Sequence, residues 1–88
     1  MDVDEVLQQA EKEQERTTAI KNRVSSFQNS FLSSHGTGTL DYLSKFCLEH
    51  SSTFVPESAR KSDFNEGARS VIIEIRRWLN YDLSKLER

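Results

Sequence analysis

The stretch from Phe64 to Leu86 places the tightest limit on what this chain can become. Phe64, Ala68, Val71, Ile72, Ile75, Leu79, Leu83 and Leu86 recur three or four residues apart, the spacing that gathers side chains on one face of an α-helix. Arg69, Glu74, Arg76 and Arg77 fall on the other faces. A helix patterned in this way is stable only with its apolar stripe covered, so the rest of the chain is expected to pack on it, with residues 64–83 as spine. That pattern implies a small helical domain and carries no chemistry of its own.

The preceding chain supplies two covering segments. Residues 2–33 contain neither proline nor glycine and are rich in Glu, Gln, Lys and Arg, all good helix formers. Within them, Val3, Val6, Leu7 and Ala10 make one short apolar stripe, and Ile20, Val24, Phe27 and Phe31 make a second. The polar run 11–16 between the stripes predicts a first helix whose beginning is solvated and projects from the body. Such a beginning is either an exposed helix end or an acidic arm that binds a partner. Residues 33–38 read as a turn at Gly36 and Gly38, because glycine permits the left-handed conformation that commonly ends a helix. Thr37 or Thr39 would then cap a short second helix running through Leu40, Leu43, Phe46 and Cys47 to about His50. Pro56 ends the periodicity and favours extended backbone at Val55. Phe54 and Val55 are thus expected to plug the helix junction, the alternative being an exposed tip that meets a partner. Ser58, Ser62 and Asp63 compete to cap the last helix, Asp63 with Glu66 as a capping box. Gly67, costly inside a helix by about 1 kcal/mol, suggests close approach of another backbone. Trp78, on the edge of the stripe, and Tyr81, outside it, either complete the core rim or mark an interface. The fold class is all-α: a long first helix, a short second and a long third, divided into an acidic arm over 1–20 and a helical domain over 21–88.

Totals limit the function classes. Eighty-eight residues make one domain with a thin core, burying roughly 60–65% of the unfolded surface. No apolar run exceeds a few residues, Val71–Ile73 being an example, so no membrane association is expected. The opening Met1-Asp2-Val3-Asp4-Glu5 carries acid where a secretory signal needs base, and Cys47 is the single cysteine; both predict a reducing cytoplasm. Net charge is −2, but it is unevenly spread. Over residues 1–16, Asp2, Asp4, Glu5, Glu11, Glu13 and Glu15 face only Lys12 and Arg16.

Chemistry finds little support. Cys47 and His50 are three residues apart, with His35 nearby, yet a zinc site lacks its fourth ligand and proper spacing. A Cys-His nucleophile would lack an orienting group and an oxyanion hole. Gly36-Thr37-Gly38 has no preceding strand and no Lys-Ser/Thr after it, so it is no phosphate loop. Arg69, Arg76 and Arg77 could form a recognition helix, but Glu66 and Glu74 interrupt the basic face and the preceding connection is too long for a helix-turn-helix. No enzyme activity, cofactor, metal or nucleic-acid partner is therefore expected.

Two motifs give a further direction. Thr53-Phe54-Val55-Pro56 and Phe64-Asn65-Glu66-Gly67-Ala68-Arg69-Ser70-Val71, preceded by Gly36, Leu40, Leu43 and Phe46-Cys47, resemble a family of small proteins of tailed, mostly short-tailed, bacteriophages encoded among portal and head genes. The resemblance runs from Phe27 to Leu79. It departs at Glu57-Ser58, where the family often has Gly-Asp, and leaves residues 1–20 outside its pattern. It assigns structural weight to Pro56, Phe64, Asn65, Glu66, Gly67 and Arg69. It implies a non-enzymatic protein acting through protein contacts, as a virion component or as a head, portal or tail assembly factor. The partners would be other virion proteins or further copies of itself, in the host cytoplasm during infection and then in the particle. The rival expectation is a phage-encoded inhibitor of a host defence, transcription or replication factor. Phe54, Val55, Arg76, Arg77, Trp78 and Tyr81 are the candidate contact residues; the virion reading docks through the acidic arm and the edge of the last helix at Arg76, Arg77, Trp78 and Tyr81, and the inhibitor reading through the carboxylates of the arm.

Overall fold

A computed structural model describes residues 2–87. It contains three α-helices in order, α1 (Val3–Phe31), α2 (Ser34–Phe46) and α3 (Ala59–Leu79), followed by a short 3-10 turn, Leu83–Glu87. Among the described residues there is no strand. The long-short-long, all-α architecture is the one that the periodicity called for.

Helix α1 runs unbroken through the polar segment 11–16, for 29 residues and about 43 Å. Asp2 caps it by accepting from the Asp4 amide at 3.3 Å, and Asp4 and Glu5 complement the dipole of the first turn. Every residue from Asp2 to Arg16 is exposed. Only the second apolar stripe is used: Val24 is fully buried, and Ile20, Phe27 and Phe31 are half-buried. Phe31 joins the core around Ile72 and Ile75, Phe27 meets Trp78, and Gln28 Nε2 donates to the Leu79 carbonyl at 3.5 Å. Helices α1 and α3 thus run in opposite directions and overlap only in part. The start of α1 extends beyond the end of α3, which contributes to overall dimensions of 61 × 35 × 16 Å.

The connection to α2 differs from a glycine turn. Ser33 is the cap, its hydroxyl accepting from the Gly36 amide at 3.0 Å, and Gly36 and Gly38 lie inside the helix with no positive φ. Gly36 is needed for space. A Cβ there would lie 1.9 Å from the Ser30 carbonyl oxygen, so the two helices turn back tightly because this residue has no side chain. Thr37 and Thr39 do not cap; their hydroxyls donate to the Ser34 and His35 carbonyls. At the far end α2 stops at Phe46, short of His50. Leu48 takes φ 58°, its amide donates to the Lys45 carbonyl, and the Glu49 amide donates to the Ser44 carbonyl at 2.9 Å. This double bond pattern is a Schellman closure, with a leucine in the left-handed position that glycine usually fills.

Helix α3 has the expected period but a different phase. Ile72 is fully buried and Ile75 and Trp78 are nearly so, whereas Phe64 is 75% and Val71 55% exposed. The inward face in the first half keeps the expected Ala68 but adds Asn65 and Arg69, all half-buried. The cause is the loop before the helix. Ser58 is the cap, accepting from the Lys61 amide at 3.1 Å. The Ser62 hydroxyl accepts from the Val55 amide at 2.8 Å, Asn65 Nδ2 donates to the Thr53 carbonyl at 3.2 Å, and the Thr53 hydroxyl donates to the Glu66 carboxylate. These bonds turn residues 62, 65 and 66 towards the loop, and Phe64 is carried outward. Phe54 is not a plug, since it is 70% exposed; only Val55 is partly covered. Gly67 admits no close neighbour, as a Cβ there would meet nothing within 4 Å.

Four substitutions separate these roles in urea or thermal unfolding. Gly36→Ala is expected to cost about 1–3 kcal/mol by forcing the α1–α2 turn apart, while Gly67→Ala should gain about 0.5–1 kcal/mol from helix propensity. Ile72→Ala should cost about 2–4 kcal/mol, and Phe64→Ser should stay within about 0.5 kcal/mol of the parent.

Candidate interaction surface

The candidate contact residues divide into two places. Arg76 is committed to the body. Its Nε donates to Glu49 Oε2 at 2.9 Å and its Nη2 to Glu49 Oε1 at 3.0 Å, a two-pronged ion pair across the α2–α3 connection. The Schellman closure aims Glu49 at α3, and the Ser44 hydroxyl donates to Glu49 Oε1 at 2.7 Å. His50 Nε2 lies 3.4 Å from the same oxygen. The Glu49 side chain is only 10% exposed. The hydrogen bonds from Arg76 hold its carboxyl below the usual value of 4.5, against the opposing effect of burial and with help from Ser44. Arg76, expected among the contact residues, is thus engaged by Glu49 of its own chain. Asp82 caps the 3-10 turn, accepting from the Ser84 amide at 3.0 Å and hydroxyl at 2.6 Å, and those bonds lower its pKa.

Arg77, Trp78 and Tyr81 belong to a different site, at the end of α3 where it meets the root of the arm. Trp78 is buried, not a rim residue; its indole Nε1 donates to Glu74 Oε1 at 2.8 Å. The Arg23 guanidinium lies 4.9 Å from the Trp78 ring centre and that of Arg77 5.2 Å, within range of cation–π attraction. Tyr81 stacks on Trp78 with centroids 5.5 Å apart. Arg77 also lies 3.7 Å from Glu74. Around this aromatic pair is a shallow groove whose α1 wall is Arg16, Ala19, Ile20 and Arg23 and whose α3 wall is Glu74, Arg77, Trp78 and Tyr81. Three arginines against one glutamate make it basic. The α1 wall was not legible as part of a site, although the absence of any acid between Arg16 and Phe31 was a usable signal.

Further apolar side chains are uncovered. Tyr42 and Phe46 stack on the outside of α2 with centroids 6.0 Å apart, both exposed. Phe54, Phe64 and Val71 are exposed around the start of α3, and Val3, Val6 and Leu7 on the arm. The family-motif residues are structural here in part: Asn65 and Glu66 bond to Thr53, Pro56 and Gly67 are exposed, and Arg69 Nε is buried without a hydrogen-bond partner. Cys47 is a buried free thiol, and His35 and His50 are exposed. Among the described residues no three His, Cys, Asp or Glu side chains are grouped to hold a metal ion, and no helix is long and apolar enough to cross a membrane.

Compared with models of known protein families, with curated proteins and with solved structures, the chain matches none.

The ion pair sets a pH dependence. Because the folded-state pKa of Glu49 is depressed, its contribution is complete above about 4.5 and is lost as pH falls through the folded value. Glu49→Gln should therefore lower stability by about 1–2 kcal/mol at pH 7, a figure reduced for the partial exposure of Arg76. The same variant should make the loss of stability below pH 4.5 shallower than in the parent, as read by melting temperature against pH.

Proposed function

We propose that this chain is a non-enzymatic bacteriophage protein that works through protein–protein contacts, as a virion component or as a head, portal or tail assembly factor. The observation that carries the contact part is the large apolar surface left uncovered on a thin body. Val3, Val6, Leu7, Leu32, Tyr42, Phe46, Phe54, Phe64, Val71 and Ile73 are all exposed. Single exposed apolar residues are ordinary, but clusters on an arm, on the outside of α2 and at the start of α3 are what docking surfaces look like.

What supports the phage part is the resemblance carried by the two motifs. Their separation has a structural use, because Thr53 of the first is hydrogen-bonded to Asn65 and Glu66 of the second. The partners proposed are other virion proteins or copies of the same chain, met in the host cytoplasm during infection and retained in the particle.

Quantitative mass spectrometry of purified virions tests this reading. The expected result is a fixed, stoichiometric copy number per particle or per assembly intermediate. Absence from both, together with specific capture of a host protein from uninfected lysate, would contradict it and favour the inhibitor.

A further inference from the structure

Helix α1 is electrically two-sided along its length. Its first half has Asp2, Asp4, Glu5, Glu11, Glu13 and Glu15 against Lys12; from Arg16 to Phe31 it has Arg16, Lys21 and Arg23 and no acid. The acidic half is fully exposed and carries Val3, Val6, Leu7 and Ala10 with nothing of its own chain covering them. The basic half borders the groove of Arg77, Trp78 and Tyr81. Because α1 is one unbroken helix, the arm cannot fold back to place its acids on its own arginines.

From this we infer that the arm is a self-association element: α1 pairs antiparallel with α1 of a second copy, each acidic tip lying along the basic root and groove of the other. The inference deepens the protein-contact reading above, on which it rests, by naming the partner. Three observations favour this occupant. Charge complementarity is met only in the antiparallel sense, since a parallel pair would set six carboxylates against six, and like charges brought together are costly. One antiparallel register brings the turns of Asp4, Leu7 and Glu11 level with the turns of Arg23, Ile20 and Arg16 of the other copy. In it the acidic length of each tip runs beside the basic length of the other root, and the tip lies along the groove and clear of Val24, which is buried in its own body. Ile20 and Tyr81 are half-buried and offer Leu7 of the second copy an apolar place between Arg16 and Arg23. Finally, an exposed helical segment of this length is only marginally stable in water, so covering it gives the arm a reason to stay helical. The contact is isologous: every pairing occurs twice about a two-fold axis, and it closes at two copies.

Sedimentation velocity on the full-length chain and three variants tests the inference, with circular dichroism confirming that each variant keeps its helix content. The parent should sediment as a dimer whose affinity falls at least about fivefold as sodium chloride rises from about 0.05 to 0.5 M. Leu7→Asp, on the exposed arm and clear of the core, should be a monomer. Asp4→Lys with Glu11→Lys, and Arg16→Glu with Arg23→Glu, should each weaken self-association about tenfold or more. Mixed together, the two charge-reversed chains should form a one-to-one dimer, because each tip now matches the other chain's root. A parent that stays monomeric at millimolar concentration overturns the inference, as does a dimer indifferent to Leu7→Asp or charge-reversed chains that fail to pair. Should the Arg16/Arg23 variant lose its helix content, Leu7→Asp and the salt dependence decide. The two readings fail separately: a monomeric chain found at fixed copy number in virions sinks self-pairing alone, whereas a dimer absent from virions sinks the virion role alone.

Discussion

The short overlap between the first and third helices is the constraint from which the other features follow. The well-covered part of α1, Val24 to Phe31, packs against Ile72 to Leu79 on α3, with Ile20 half-buried beyond it and Leu40, Leu43 and Cys47, from α2 and its end, filling the remaining side. Extending the overlap would need apolar residues in the polar run 11–16 or at Asn65 and Arg69, and the sequence has none there. The body is therefore small for its chain length. Burial at about 25 cal/mol per Å² of apolar area gives a core of this size a limited margin, and polar links carry part of the burden of holding the helices in place.

The most consequential of those links is the pairing of Glu49 with Arg76. Its geometry begins in the backbone: Leu48 in the left-handed region reverses the chain after α2, and the reversal points the next carboxylate at α3. A β-carbon at that φ costs about 1 kcal/mol relative to glycine; the ion pair and the closing hydrogen bonds are present together with that strain. Downstream, Ser62, Asn65 and Glu66 fasten residues 53–55 to the start of α3. The short helix and its loops thus act as a strap across the long pair. The strap leaves uncovered the outer side of α2, with Tyr42 and Phe46, and that of α3 as far as its middle, with Phe64 and Val71.

Much of this was legible in the sequence, and the misreadings have definite causes. Helix number, order and relative length followed from apolar spacing and from the absence of glycine and proline over residues 2–33. The phase of α3 did not. Phe64, Ala68, Val71 and Ile75 form one edge of the apolar stripe, and Asn65, Ala68, Ile72, Ile75 and Leu79 form a stripe rotated from it by roughly 50°. Apolarity favours the first, whereas hydrogen bonds from a loop thirteen residues away select the second. The glycines were exchanged for a similar reason: Gly36 and Gly67 look alike in sequence, and only the crossing of Ser30 past α2 decides which needs to lack a side chain. Arg76 and Arg77, adjacent in the chain, diverge because neighbouring helical residues point about 100° apart. One therefore reaches Glu49 and the other the Trp78 ring. The acidic arm was legible as an arm, and in the structure it continues without a break into the basic second half of the same helix.

Hydrogen exchange followed by mass spectrometry, residue range by residue range and at two protein concentrations, bears most directly on a short shared core with a protruding arm. The expected result is slow exchange at both concentrations in Val24–Phe31 and Ile72–Trp78, with residues 4–16 exchanging fast at high dilution and becoming protected as concentration rises. Uniform protection along all of α1 at high dilution, or fast exchange in Ile72–Trp78, would contradict it.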